Sequence, residues 1–339
     1  DCDSRLSLLI KAKIIKEKSN FYSFKYPYVY YYFLSKYLSD NLNSSEIQEI
    51  VQDLVKGLDK RKNMNTLMFL THHSKDMRIL DSIINQSKSH FLEYKPTALD
   101  KDVLFISSII SNLNLRDLTF EDGNIHDNRL ELEKEKDLHD DNYNNDDINQ
   151  DDNEPDVDKE SKLHDFLTEF NLTFKSIDLL GQLTRNYHES LKTAPKIKLL
   201  TEAIEAPLRA LESIFSIMRD DPDTLLEMIR DRLKDEFKID SHNDHETEII
   251  AKKLLFQLMK GISFSIIKKI SSTIGSRELL PVIKLIYKDK PKSNAIRLLE
   301  LSVQLDLGAL GSIENIEKMA KDFNFNTISG ALLQDLKKK

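Results

Sequence analysis

Two pairs of histidines and several clusters of carboxylates hold the atoms in this sequence best suited to chemistry. His72 and His73 are adjacent in MNTLMFLTHH. A zinc site on a helix needs two histidines four residues apart with a glutamate between them, so that both imidazoles leave one face. Neighbouring positions on a helix point in different directions, so these two histidines read as structural. His242 and His245 in DSHNDH could share a face with Asp244 nearby, but their charged surroundings read as an exposed interhelix loop. Asp220 and Asp221 stand before Pro222 and read as charges at a helix start, where the N-terminal dipole favours carboxylates, rather than as an acid–base pair. The DxD-like groupings between residues 121 and 160 lack the central glycine and the bidentate glutamate at the offsets that an EF-hand loop requires.

Other chemistries have no candidate residues. No G-x-x-x-x-G-K-[ST] occurs, and GISFSIIKKISST lacks the second glycine and the Gly-Lys pair that would put amides and an ammonium around phosphates. G-x-S-x-G is absent too, which removes the nucleophile elbow of an α/β-hydrolase. The expectation is a window with no catalytic residue, no metal ligand set and no enzymatic activity of its own. A single cysteine, Cys2, builds neither an internal disulfide nor a thiolate metal site. Nothing then requires an oxidising compartment, and a cytoplasmic location is expected. DCDSRLSLLIKAK has no signal-peptide grammar, and no apolar run approaches the roughly 18–20 residues of a membrane span.

The elements that would position any site are helices. Only 8 glycines and 8 prolines occur in 339 residues, too few turn signals for a protein of short strands. The fold class expected is all-α, an irregular stack of antiparallel helical hairpins with one short strand near the N-terminus. Ser45 and Gln48 read as a capping box opening IQEIVQDLVKGL, where Ile47, Ile50, Val51, Leu54, Val55 and Leu58 recur at spacings of three and four. MNTLMFLTHH, DMRILDSIINQSKSHFL and LDKDVLFISSIISNLNL continue the pattern. It resumes in LHDFLTEFNLTFKSIDLLGQLTRNYHESL and runs through further stripes to IENIEKMAKDF. Pro222 after Asp221 predicts a helix start, Gly275 before Ser276 a stop and restart, and Pro207 a kink or break near Ala206.

Charge divides the chain further. The formal net charge is -8, yet residues 121–160 hold 17 acids against 4 basic residues, a net of -13 that leaves +5 on the remainder. Self-repulsion and the lack of apolar surface predict a disordered acidic linker there. It separates a helical subdomain over 44–120 from a C-terminal helical subdomain over 161–339. Elsewhere Lys and Arg alternate with acids along the sequence, so nucleic acid is not an expected partner, and neither is a membrane.

Seven of the eleven tyrosines fall in residues 21–38, FYSFKYPYVYYYFLSKYL, in a chain without tryptophan. Tyr22, Phe24 and Tyr26 alternate with Ser23 and Lys25 and predict a strand with one aromatic face. Pro27 then opens a helix in which Val29, Phe33, Tyr37, Tyr30 and Leu34 fall at helical spacing, so the helix is expected to bury a broad aromatic face. With RLSLLIKAKIIKEK before it, the expected local order is helix, strand, helix.

That order resembles the end of the winged-helix region in STAND-type NTPases, the NACHT-like signalling ATPases, where an F-x-F strand runs into an aromatic helix ending in a Y-L pair. MFLTHHSKDMRILDSIINQSKSHF, IDLLGQLTRNYHESL, PLRALESIF and FSIIKKISSTIGSRELL resemble the helices that follow it in bacterial STAND proteins of the anti-phage defence type. The resemblance covers nearly the whole chain apart from the acidic segment, and it makes residues 1–43 the end of a winged-helix-like region. It implies a non-catalytic regulatory, sensor and assembly region, with a P-loop ATPase core and an effector domain preceding Asp1 in a longer polypeptide. ATP or ADP and Mg would belong to that whole protein. A phage protein as ligand and a homo-oligomer are further implied partners. Tyr22, Phe24, Tyr26, Tyr30, Phe33 and Tyr37 would dock between domains. Many relatives carry His near Tyr26, where it contacts nucleotide phosphate; a neutral phenol here makes Tyr26 a weaker candidate for that contact. The alternative is a free-standing all-helical scaffold that binds a peptide or protein partner in a groove.

Overall fold

The computed structural model describes residues 2–18, 21–74, 76–110, 159–237, 244–289, 292–309 and 326–337. The acidic segment, except for its last two residues, lies outside the described residues, as do His242 and IENIEKMAKDF.

The chain opens with helix α1 (Cys2–Lys11) and a two-stranded antiparallel hairpin, β1 (Ile15–Lys18) and β2 (Phe21–Phe24). Helices α2 (Pro27–Asp40), α3 (Ser45–Lys56), α4 (Arg61–Ser74) and α5 (Met77–Ser89) follow, then a 3-10 turn (Lys101–Val103) leading into α6 (Leu104–Ile109). The later helices are α7 (Lys159–Asn186), α8 (Thr193–Asp220), α9 (Pro222–Phe237), α10 (Asp244–Ile274), α11 (Leu280–Ile286), α12 (Asn294–Asp306) and α13 (Thr327–Lys337). The all-α class is as expected.

Four local expectations need correction. The stretch read as helix up to Lys18 ends at Lys11; Lys13 turns at φ 58°, and the β-branched pair Ile14-Ile15 begins the strand that the aromatic strand needs as partner. The N-cap of α3 is Ser44 rather than Ser45, and it makes no side-chain capping bond; the Gln48 side-chain amide instead donates to Leu42 O at 3.1 Å. Helix α8 runs unbroken through Pro207. Its neighbours bury that stretch on all sides, and the packing outweighs the one ladder bond that a proline removes. Packing is also not confined to hairpin neighbours in sequence, since α2 lies on α4 and α3 lies on α5 as well as α4. The stop at Gly275 is found as expected, with its amide donating to Ser271 O at 2.7 Å.

Two compact units divide the chain. The first comprises residues 1–107, 167–222 and 260–339, the second residues 108–166 and 223–259. In the second, Leu226 and Leu233 of α9 and Ala251, Leu255, Phe256 and Met259 of α10 are buried.

In the first unit the stripe of α3 is buried at Ile47, Val51, Val55 and Leu58, while Ile50 is exposed. Two polar assemblies fix its helices. At the end of α5, the buried pair Arg209 and Glu202 of α8 meets at 2.6 Å; Arg209 also donates to Ser87 O and His90 O, and Ser87 Oγ donates to Glu202. The second is the loop 97–102, wound around Asp102. Its carboxylate accepts from the Thr97 hydroxyl and from the amides of Ala98, Leu99 and Asp100, the last at 2.7 Å. Leu99, buried at φ 54°, offers its carbonyl to Asn294 of α12 at 3.2 Å and to Asn326, just before α13, at 2.6 Å. Gly181 lets α7 and the end of α10 close up: a Cβ there would lie 2.7 Å from Thr273 O and run into the Thr273 methyl. Nearby, Lys269 pairs with Asp178 at 2.7 Å.

Candidate functional site

Helix α2 has two stripes with different fates. One, containing Ser35 and Leu38, is buried, and Ser35 Oγ donates to Thr66 O of α4 at 2.8 Å. The flanks of that contact are aromatic. The Tyr32 ring meets the His73 ring at 4.8 Å and Phe69 at 6.4 Å, and Lys62 Nζ sits 5.2 Å from the Tyr30 ring. The other stripe is open to solvent. Tyr26, Phe33 and Tyr37 are exposed along it, Tyr37 at 60%.

The expectation that the helix buries its broad aromatic face is therefore corrected. α4 takes the narrow stripe where the small side chain of Ser35 permits close approach, and the wider aromatic stripe lacks a cover among the described residues.

The hairpin continues the same face. Ile15 pairs with Phe24 and Glu17 with Tyr22, which puts these four side chains on one side of the ribbon. Phe24 stacks on Phe33 at 5.9 Å and tilts against Tyr30 at 5.9 Å, so hairpin and helix form one aromatic surface. Of the six residues expected to dock, Phe24 and Tyr30 are half-buried at the centre, and Tyr22, Tyr26, Phe33 and Tyr37 are exposed around them. Tyr28 and Tyr32 are exposed as well, but the spacing 28, 32, 35 puts them in line with Ser35, on the side of α2 that meets α4.

Tyr26 caps α2, stacks on Tyr28 at 5.5 Å and carries Lys25 Nζ 5.5 Å from its ring. The described surroundings thus supply one phenol and one ammonium. A triphosphate cradle takes a row of backbone amides, which one phenol and one ammonium do not replace.

The histidines separate as expected. Their rings lie 5.9 Å apart, with His73 against Tyr32 and His72 against Tyr187. Burial lowers the His73 pKa below its ordinary value, helped by the neighbouring His72 and Lys36. A cavity of about 300 Å³ lies beyond, lined by Thr71, Met77, Leu80, Tyr187 and Leu191, and burial raises the Tyr187 phenol. Among the described residues no group of three His, Cys, Asp or Glu is placed to hold a metal ion, and no helix is long and apolar enough to cross a membrane.

The family model described as Novel STAND NTPase 4 matches residues 1–34. The chain is related to a STAND NTPase family. The matched residues span α1, the hairpin and the first half of α2, which is the part that builds the aromatic surface. No curated protein and no solved structure matches the chain.

Proposed function

We propose that this chain is the regulatory, sensor and assembly region of a STAND-type signalling NTPase that acts in prokaryotic anti-phage defence. The exposed aromatic surface carries the reading, because all of it except Tyr37 falls on the residues matched to a STAND NTPase family. A contiguous exposed aromatic surface without a cover among the described residues marks an interaction site. The occupant is the ATPase module of the same polypeptide. In this reading α1, the hairpin and α2 are the end of a winged-helix region, and the face seats on the ATPase module in the resting protein. A phage protein captured by the later helices then frees the face. Capture shifts the balance only through differential affinity for the two arrangements, a few kcal/mol for a decisive switch. The chain itself performs no bond-breaking, and ATP, ADP and Mg are bound elsewhere in the whole protein.

The test is ATP turnover by the complete polypeptide carrying Tyr22→Ser and Tyr37→Ser. Both side chains are exposed, Tyr22 at 49% and Tyr37 at 60%, and circular dichroism checks that the variant folds. Expected is a rise in basal turnover as the resting contact loosens. Turnover equal to that of the unmodified polypeptide, or an absence of ATP hydrolysis in the whole protein, refutes the reading.

A further inference from the structure

The register of the hairpin sorts its side chains by charge. Lys16 lies opposite Ser23 and Lys18 opposite Phe21, so these four share the side of the ribbon away from the aromatic surface. The Lys25 amide donates to Ile14 O at 2.9 Å, which carries the ladder one residue further and brings Lys25 onto that side as well. The outer side therefore shows Lys16, Lys18, Phe21, Ser23 and Lys25, all exposed, with Phe21 at 79%. The one carboxylate of the hairpin, Glu17, points to the other side. Among the described residues, none of these three lysines forms an ion pair. Along the sequence the lysines alternate with Glu17 and look balanced; in the ribbon, period two separates the signs.

We propose that this outer side binds single-stranded nucleic acid. Lys16 and Lys18 are two strand residues apart, about 7 Å, in a line that suits a linear polyanion. The Phe21 ring stands clear of the ribbon beside them, where an unpaired base can stack on it. Lysines tracking a phosphate chain next to a free aromatic ring form the combination that binds single strands without reading sequence. A duplex offers the same phosphates but keeps its base faces stacked, which leaves the ring without a partner. An anionic membrane also attracts the lysines, yet one exposed ring with only the half-buried Ile14 opposite Lys25 gives little to insert. This side is opposite the one that faces the ATPase module in the docking proposal. Failure of either proposal leaves the other standing.

The test uses the whole chain, a fluorescent oligothymidylate of about twenty nucleotides and anisotropy between about 50 and 200 mM salt. A duplex of equal length and phosphatidylserine vesicles form the other arms. Three neutralised phosphates on a single strand predict a log–log salt slope of about -2. Phe21→Ala is expected to weaken binding about tenfold by removing one stacked base. The triple variant Lys16→Ala, Lys18→Ala, Lys25→Ala is expected to abolish it. All four positions are exposed, and circular dichroism checks that each variant stays helical. The proposal is overturned if the oligonucleotide does not bind, if the duplex binds as tightly, or if vesicles bind in place of the oligonucleotide. It is equally overturned if either variant binds like the unmodified chain.

Discussion

Replacing Arg209 with alanine is the sharpest probe of how the first unit holds together. The guanidinium is buried and makes a 2.6 Å pair with Glu202 Oε1, a 3.2 Å bond to Ser87 O and a 3.4 Å bond to His90 O. In Arg209→Ala the Glu202 carboxylate stays buried, with the Ser87 hydroxyl at 3.0 Å as its remaining partner. Removing one member of a buried pair costs about 3–5 kcal/mol, because the other charge is left uncompensated. The double variant Arg209→Met, Glu202→Met removes both charges at similar volume and should recover most of that. Recovery should be incomplete: Ser87 O and His90 O still lose a donor, at about 1–3 kcal/mol for each group left unsatisfied. The assay is urea unfolding followed by circular dichroism, comparing midpoints at equal slope. A loss below about 1 kcal/mol in Arg209→Ala, or a double variant less stable than the single, would refute the reasoning.

Three further outcomes are expected. Gly181→Ala should destabilise by about 1–3 kcal/mol despite alanine's better helix propensity, because the new Cβ meets the Thr273 carbonyl as well as its methyl. Adding Thr273→Ala should rescue it only in part in the same unfolding assay, and full rescue would show that the carbonyl contact is immaterial. Asn326→Ala removes the bonds to Leu99 O at 2.6 Å and Asp100 O at 2.9 Å, and with them the cap that its Oδ1 gives the Ser329 amide and hydroxyl of α13, each at 2.9 Å; it should cost about 1–3 kcal/mol, and an unchanged midpoint would mean that neither the latch on the loop 97–102 nor the cap matters to stability. Burial holds the His90 pKa below its ordinary 6.5, and Arg209 adds to this while Glu169 and Glu202 oppose it. Since the folded-state value is the lower one, stability is full above about pH 6.5 and falls as pH drops through that value towards the folded one. His90→Asn should flatten the loss between about pH 7 and 5, and an unchanged acid limb would assign that loss to other groups.

The all-helical order is legible because each segment carries a stripe at spacing three and four, as in Ile47, Val51, Val55 and Leu58, all of which prove buried. Gly275 is legible for the same local reason. The hairpin is harder to read: Phe21–Phe24 shows its own alternation, but IIKEK reads as a helix continuation until a partner strand is sought for it. The aromatic face shows the limit most clearly. Spacing says that Tyr26, Val29, Phe33 and Tyr37 share a side of α2, whereas what covers that side depends on α4 taking the Ser35 stripe instead. The charge sorting on the hairpin is invisible to any count along the chain, because it depends on register. The loop 97–102 escapes notice altogether, as most of its bonds use backbone amides and carbonyls, including those of Ala98 and Leu99, which leave no side-chain pattern.

That loop has a consequence for synthesis. Its partners Asn294 and Asn326 lie 195 and 227 positions downstream of Leu99. At about 5–20 residues per second, the ribosome takes roughly 10–45 s to deliver the later one. Through that interval the Leu99 and Asp100 carbonyls must make do with water, and a nascent chain stopped short of α13 is left with an unlatched seam open to chaperones and proteases.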